Sequence, residues 1–198
     1  MEPEPSPAEK LLVRVFIGLF GRPLYRGFVD SLGLQGNEVV LDFGSGWGMN
    51  SRMIAEALSK GGKIVCLDIS RGWLEVAKRR LRGTENAEFI LGDISQAKIP
   101  DKTFDVIVVH FVLHDIDRSV RGRTVAELAR VLKDEGRLVI RDPLSMGHGI
   151  TVEELRSLMT GVGLRESKWS TDRWPMFREA YHGTWVKPTC TPNECKVA

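Results

Sequence analysis

Glycine occupies every second position of one short segment, at Gly44, Gly46 and Gly48. The strand-like run Val39–Phe43 leads into this segment, and a helical pattern begins near Met49. A glycine-rich turn between a buried strand and a helix lets the backbone come within contact distance of a ligand, because no Cβ intervenes. The sequence therefore predicts a ligand-binding turn at this point of the chain.

The spacing of these glycines argues against two common nucleotide-binding loops. The dinucleotide fingerprint has glycines at its first, third and sixth positions, and the sixth position here is Met49. A Walker A loop ends in Gly-Lys followed by Ser or Thr, and this segment does not end that way. A nicotinamide-binding protein and a P-loop nucleotidase are therefore both disfavoured.

From Glu38 onward the chain alternates strand-like and helix-like runs, which is typical of a doubly wound α/β sheet. The last two strand-like runs, 164–170 and 178–186, are joined by a loop that is short for a parallel crossover, so we expect them to pair antiparallel. We predict a seven-stranded, mostly parallel sheet that ends in an antiparallel C-terminal hairpin. The earlier runs are strands Val39–Phe43, Lys63–Asp68, Ala87–Leu91, Phe104–His110 and Gly136–Arg141, and helices Asn50–Ser59, Trp73–Leu81, Arg118–Leu132 and Val152–Met159.

Three parts of the chain are expected from these patterns. Residues 1–35 should form two helices, residues 36–188 the α/β domain, and residues 189–198 a polar tail. The first helix contains the apolar run Leu11–Phe20. It is a candidate for packing on the sheet edge, for covering the site as a lid, or for peripheral contact with a membrane surface.

Composition and charge restrict the partners. The 28 basic and 26 acidic side chains give a formal charge of +2, which is too small to indicate a polyanionic partner such as nucleic acid. Arg14 interrupts the apolar run, which is also shorter than the about 20 residues that span a bilayer. The acidic, proline-rich N-terminus is unlike a signal peptide, so we expect a cytoplasmic protein. The three cysteines and four histidines do not have metal-ligand spacing, and we expect no metal site.

Acidic residues mark the ends of the first three predicted strands. Asp42 lies near the end of the first, Asp68 ends the second and Asp93 follows the third. Ligands of open α/β sheets bind beyond the carboxyl ends of the strands, so the three carboxylates are expected to lie around one ligand. Taken singly, each aspartate is as typical of a helix cap or a solvated turn. The ordered set favours the ligand site.

The segment Leu-Asp-Phe-Gly-Ser-Gly-Trp-Gly at residues 41–48, together with Asp68 and Asp93, resembles the first three motifs of class I S-adenosylmethionine-dependent methyltransferases. The resemblance covers about residues 36–188. It implies a Rossmann-like methyltransferase fold, S-adenosyl-L-methionine as the cofactor, and transfer of its methyl group to an acceptor.

The resemblance also implies roles for the residues at the strand ends. We expect the glycine turn and the start of the next helix to face the methionine carboxylate, with Asp42 near the ammonium group. Asp68 is placed to accept from the ribose hydroxyls, and Asp93 from the adenine amino group. The full set implied as cofactor-binding is Asp42, Gly44, Ser45, Gly46, Trp47, Gly48, Asp68, Ile69, Asp93, Ile94 and His110.

The segment His110-Phe-Val-Leu-His114-Asp115 is similar to the Leu-His-Asp segment of small-molecule O-methyltransferases. In those enzymes the histidine is the general base, and this resemblance implies His114 as the catalytic residue. Histidine titrates near neutrality and can take a proton as an oxygen attacks the methyl group. The alternative is a packing or capping histidine. His110, at the tip of the preceding strand, is expected to border the cofactor.

We therefore expect a methyltransferase that acts on a small apolar or amphipathic molecule, with O-methylation favoured. The Asn/Asp-Pro-Pro-aromatic element of enzymes that methylate nucleobase amines is absent from the sequence. The alternatives are an RNA or protein methyltransferase and a noncatalytic protein that binds the same cofactor. The sequence does not set the acceptor atom or the oligomeric state.

Overall fold

The structure is a computed structural model of the 198-residue chain, and it describes residues 25–144, 150–172 and 179–189. The predicted helix over Leu11–Phe20 and the tail after residue 189 lie outside the described residues. The first described residues, 25–31, are helical and are called α1. This helix belongs to the second predicted N-terminal helix, and Gly33, with φ of 60°, follows it.

The described residues form a seven-stranded sheet in the order β3-β2-β1-β4-β5-β7-β6. The pairs β1–β2, β2–β3 and β4–β5 are parallel, and β5–β7 and β6–β7 are antiparallel. The predicted α/β fold with a C-terminal hairpin is thus confirmed. The strands are β1 Val39–Phe43, β2 Lys63–Asp68, β3 Ala87–Leu91, β4 Phe104–His110, β5 Leu132–Pro143, β6 Arg165–Asp172 and β7 Ala180–Val186; the further helices are α2 Met49–Ala57, α3 Arg71–Arg80, α4 Arg118–Val131 and α5 Val152–Gly161.

The chain divides into two compact units, Met1–Ala97 and Lys98–Ala198. In the first unit β2 lies between β1 and β3, and all of its residues after Lys63 are buried. Such a continuous buried run is typical of a parallel strand that is covered on both faces. Tyr25 and Phe28 of α1 are also buried, so in the structure these two residues have a packing role.

In the second unit β5 begins directly after α4, at Leu132, whereas the sequence analysis ended the helix at Leu132 and began the strand only at Gly136. Leu132 pairs with Phe104 of β4. The residues between Leu132 and Gly136 belong to the strand because the Glu135 amide donates to the Lys187 carbonyl (2.7 Å) and the Lys187 amide donates to the Gly136 carbonyl (3.0 Å). Tertiary hydrogen bonds thus override the local turn preference of Glu135-Gly136.

Candidate active site

The three alternate glycines all have left-handed backbone conformations, with φ of 68° at Gly44, 51° at Gly46 and 75° at Gly48. Only glycine adopts this region without strain. The two later glycines face different surroundings. A Cβ at Gly48 would lie 2.8 Å from the Cβ of Ala77 in α3, whereas a Cβ at Gly46 would meet no atom closer than 4.0 Å. Gly48 therefore permits close packing of α2 and α3, and Gly46 is where a ligand can approach the turn.

Most amides of this turn donate to acceptors of the protein itself, and the expectation that the turn faces a ligand stays a prediction. Gly44 and Ser45 both donate to the Leu67 carbonyl, at 2.8 and 3.1 Å, and Gly48 donates to the Ser45 carbonyl at 2.9 Å. Buried amides need such partners. The hydrogen bonds hold the turn against the end of β2.

The Asp68 carboxylate joins the turn to α3. Its Oδ2 accepts from the Gly46 amide (2.7 Å) and its Oδ1 from the Ser70 amide (2.8 Å). Ser70, and not Asp68, is the N-cap of α3, since its hydroxyl accepts from the Trp73 amide. A carboxylate has about four acceptor sites, so these two bonds are compatible with further bonds from ribose hydroxyls.

Asp42 lies at the end of β1 with 2% exposure. Burial raises its pKa to about 6; the hydroxyl of Ser51, which donates to Oδ2 at 2.5 Å, lowers it and the charge of Asp68 raises it. At neutral pH the carboxyl is mostly ionised inside a buried environment. A buried anion of this kind favours a cation, such as an ammonium group, close to it.

Two buried polar atoms at this turn have no hydrogen-bond partner among the described residues: Ser45 Oγ and Asn50 Oδ1. A buried unsatisfied polar group is costly and calls for an explanation. Both atoms can accept hydrogen bonds from a ligand's amino group. The sequence analysis included Ser45 and missed Asn50. The sequence offered one signal for Asn50. Gly48, the N-cap of α2, has no side chain to cap the helix, and the first turn of α2 has no acidic residue, so Asn50 is a polar side chain at an uncapped helix start.

The ends of β2 and β3 have the surface expected for a purine. Ile69 is 51% exposed, so its apolar side chain is open to a ligand at the end of β2. The exposed carboxylate of Asp93 accepts from the Ser95 amide at 2.7 Å, and the side chain of Ile94 is buried. The Gly92 amide donates to the Asp68 carbonyl (2.9 Å) and ties the two strand ends together.

Trp47, in the glycine turn, packs edge-to-face on Trp73 of α3, with ring centroids 5.6 Å apart, and on Tyr25 of α1, at 6.5 Å. The first unit thus brings together Trp47, the glycines and the three aspartates at the carboxyl ends of β1, β2 and β3. Trp47 is held by aromatic neighbours, and its contact with the cofactor stays a prediction.

The second unit contains both histidines that the sequence singled out. His114 is buried in a 3₁₀ turn, Leu113–Asp115. Its Nδ1 lies 2.6 Å from Asp142 Oδ1, and its Nε2 lies 3.2 Å from Asp115 Oδ1. Asp142 is fully buried, and burial raises the pKa of its carboxyl. The sequence analysis missed Asp142, although an acidic residue at the carboxyl end of β5 was the same signal that identified Asp68.

The buried side chain of Arg121 holds the backbone around His114. It donates to the carbonyls of His114 (3.0 Å) and Ile116 (2.7 Å), and forms an ion pair with Glu154 of α5 at 2.8 Å. An arginine has five donors in a rigid fork, which suits it to tie two carbonyls and a carboxylate at once. The turn that carries His114 is therefore fixed at both ends.

His110 ends β4 and is buried. Burial, followed by the charges of Arg141 and His182, lowers its pKa well below the usual range. The next residue, Phe111, has φ of 59°, and its amide donates to the Arg141 carbonyl at 2.8 Å. A bulky residue in this conformation stores strain, which is often found at functional sites. That His110 borders the cofactor stays a prediction.

Two further observations concern the described residues alone. None of their helices is long and apolar enough to cross a membrane. Within residues 25–144, 150–172 and 179–189, no three His, Cys, Asp or Glu side chains gather as metal ligands would.

Comparison with known proteins agrees with this geometry. Residues 40–136 match the sequence model of a family described as a methyltransferase domain. A demethylmenaquinone methyltransferase of Clavibacter sepedonicus is 37% identical over 103 residues, which are 52% of this chain and 40% of that protein. The ubiquinone/menaquinone biosynthesis C-methyltransferase UbiE of Escherichia coli O1:K1 / APEC is 28% identical over 115 residues, 57% of this chain and 45% of that one. The chain spans less than half of the length of these two relatives.

The fold is also similar to that of a solved methyltransferase structure. A SAM-dependent methyltransferase from Aquifex aeolicus superposes with a TM-score of 0.74 at 21% identity, covering 93% of this chain and 99% of that one. The sequence match over residues 40–136 thus identifies a methyltransferase domain in this chain, and the described fold is that of an S-adenosylmethionine-dependent methyltransferase.

Proposed function

We propose that this chain binds S-adenosylmethionine at the carboxyl ends of β1, β2 and β3 and transfers its methyl group to a small apolar or amphipathic acceptor. The observation that carries the proposal is the pair of unsatisfied buried acceptors, Ser45 Oγ and Asn50 Oδ1, beside a glycine turn fastened to Asp68. A polar ligand bound here would give both atoms a hydrogen-bond partner.

The residues of this site suit the parts of the cofactor. The buried carboxylate of Asp42, with Ser45 and Asn50, suits an ammonium group, and the start of α2 suits a carboxylate. Asp68 has acceptor sites for ribose hydroxyls, and Asp93 with exposed Ile69 suits adenine. When bound, S-adenosylmethionine supplies a methyl group already activated by its sulfonium, so the protein contributes mainly alignment of the acceptor.

His114 is proposed to accept the proton of an acceptor hydroxyl. Its Nδ1, 2.6 Å from Asp142, is placed to donate to that carboxylate, which sets the tautomer in which Nε2 carries the lone pair. This is the arrangement of a general base oriented by a third group. The proton moves from the hydroxyl to Nε2, and the Asp115 carboxylate 3.2 Å away stabilises the imidazolium that results.

The acceptor is proposed to be a hydroxylated ring of the quinol type. The names of the similar proteins, a demethylmenaquinone methyltransferase and a C-methyltransferase of quinone biosynthesis, support this class and favour a ring carbon as the acceptor atom. The His114–Asp142 pair supports oxygen as the second candidate. A ring hydroxyl that has lost its proton is nucleophilic at both its oxygen and the adjacent ring carbon, so His114 has the same task in each case.

Cofactor binding is tested by calorimetry with Asn50→Ala. Because Asn50 Oδ1 has no hydrogen-bond partner to lose among the described residues, the variant should still fold without ligand, which circular dichroism checks. Affinity for S-adenosylmethionine should fall about tenfold, the value of one hydrogen bond to a charged group. Asn37→Ala removes an exposed asparagine of the same unit and is the matched control. Wild-type affinity in Asn50→Ala would contradict the assignment.

Methyl transfer is tested with isotopically labelled S-adenosylmethionine and 1,4-naphthohydroquinone under reducing conditions. The two possible products are isomers of equal mass, so the free hydroxyls are acetylated before mass spectrometry. Methylation at carbon retains both hydroxyls and gives a diacetate, whereas methylation at oxygen consumes one and gives a monoacetate. The same label offered to a cell extract extends the search to other acceptors. Tight cofactor binding without any labelled product would reject the transfer and leave a noncatalytic binding protein.

A further inference from the structure

A row of basic side chains crosses the second unit at one level of the sheet. His110 of β4 pairs with Arg141 of β5, Arg141 pairs with His182 of β7, and His182 pairs with Ser170 of β6. Directly paired residues on neighbouring strands share a face of the sheet. Two imidazoles and a guanidinium therefore lie side by side on one face, at the carboxyl ends of β4 and β5.

One carboxylate is bonded to this row. Asp172 Oδ2 accepts from Arg141 Nη2 and lies 3.1 Å from His182 Nδ1. Burial and the charge of Arg141 lower the pKa of His182, as they lower that of His110, and Lys168 acts on His182 in the same direction. Burial first and the charge of Arg141 second thus favour the neutral form of both imidazoles, while Asp172 acts on the pKa of His182 in the opposite direction. An additional anion would be stabilised by Arg141 and would allow the histidines to donate hydrogen bonds.

The row is buried at one end and open at the other. His110 and Arg141 are buried, whereas 27% of the Asp172 side chain is exposed. The carboxyl ends of parallel strands are where open α/β sheets bind ligands. A ligand with one anionic group that enters from this side must therefore compete with the Asp172 carboxylate for Arg141 and His182.

We infer that Arg141 and His182, with His110 behind them, form an acceptor subsite that takes an anionic oxygen group, a phenolate or a carboxylate. The inference rests on the proposed function, since it gives the acceptor of that reaction an acidic hydroxyl or acid group. A phenolate held by Arg141 would also be a better nucleophile than the neutral phenol. Arg141 and His182 would then decide which acceptors are used.

The test uses 4-nitrophenol, whose anion absorbs visible light, so that its absorbance reports both binding and ionisation. We expect the wild-type protein to bind it and to lower the pKa of the bound probe. 4-Nitroanisole, which cannot ionise, should not displace it. Benzoate provides the second arm: stronger displacement by benzoate identifies a carboxylate site, and weaker displacement a phenolate site.

The variant Arg141→Gln/Asp172→Asn removes both members of the ion pair together, because either single change would leave a buried charge alone. It should bind 4-nitrophenol at least tenfold more weakly and leave the pKa of the probe unchanged. Arg123→Gln removes the same charge from an exposed position of α4 and should bind as the wild type does. A second measurement needs no variant: NMR titration of the wild type should show the pKa of His182 rising when the probe binds.

Several outcomes would overturn the inference. They are equal binding by the wild type and the double variant, displacement by 4-nitroanisole as strong as by benzoate, or an unchanged His182 titration in the presence of the probe. Calorimetry with S-adenosylmethionine is independent of all three measurements. A wild-type protein that does not bind S-adenosylmethionine would reject the proposed function. A wild-type protein that binds S-adenosylmethionine but not 4-nitrophenol would reject only the subsite.

Discussion

The buried carboxyl of Asp42 should lower the stability of the ligand-free protein at neutral pH. Its pKa in the folded state is about 6, against 3.8 for an unperturbed aspartate. The folded state therefore holds this proton more tightly than the unfolded state does. The stabilisation is fully present below about pH 4 and is lost as the pH rises through 6. A shift of about two units corresponds to about 3 kcal/mol in the free energy of unfolding.

Asp42→Asn isolates this contribution, because asparagine does not titrate and its Oδ1 can still accept from Ser51. We expect the free energy of unfolding of the variant minus that of the wild type to rise by about 3 kcal/mol between pH 4 and pH 7 and then to level off. Urea denaturation followed by circular dichroism, repeated at each pH, measures this difference. Asp30→Asn, which removes an exposed carboxyl of α1, controls for the change in net charge.

The same variant should bind S-adenosylmethionine more weakly than the wild type, because the charge that faces the ammonium group is lost. The protein would then tolerate a costly buried charge in the free state because the cofactor needs it. A stability difference that stays constant with pH would refute the burial argument. A stable variant with wild-type affinity would refute the role of Asp42 in binding.

Two further predictions follow from the turn and from the histidine. Gly48→Ala should lower the free energy of unfolding by about 2–4 kcal/mol in urea denaturation, because the new Cβ meets Ala77 at 2.8 Å in a left-handed backbone. Gly61→Ala, with φ of 84° and open space, should lose only the conformational part of about 1–2 kcal/mol, and equal losses would argue against the contact. His114→Ala should reduce turnover about 10²-fold or more with cofactor affinity intact, and Asp142→Asn should reduce it less; unchanged turnover in His114→Ala would leave this residue a packing role.

Local features were readable from the sequence because each has a short-range physical cause. Alternate glycines at 44, 46 and 48 permit a left-handed turn, and a continuous apolar run such as Ile64–Leu67 favours a strand covered on both faces. The end of β2 at Asp68 and the position of Asp93 just after β3 follow from the same runs. The sequence by itself therefore determined the order of the strands along the chain and the residues at the ends of three of them.

Tertiary structure decided which atoms have partners, since these depend on residues far apart in the chain. Asn50 is one asparagine among others until the packed turn leaves its Oδ1 buried without a donor. Asp142 meets His114 across 28 positions, and Arg141 faces His182 only through the register of β5 and β7. Gly48 has a packing role because α3 crosses close to it. Hydrogen bonding and burial depend on distances in the folded protein and not on separation along the chain. Only the tertiary structure therefore shows which polar and charged side chains lie together.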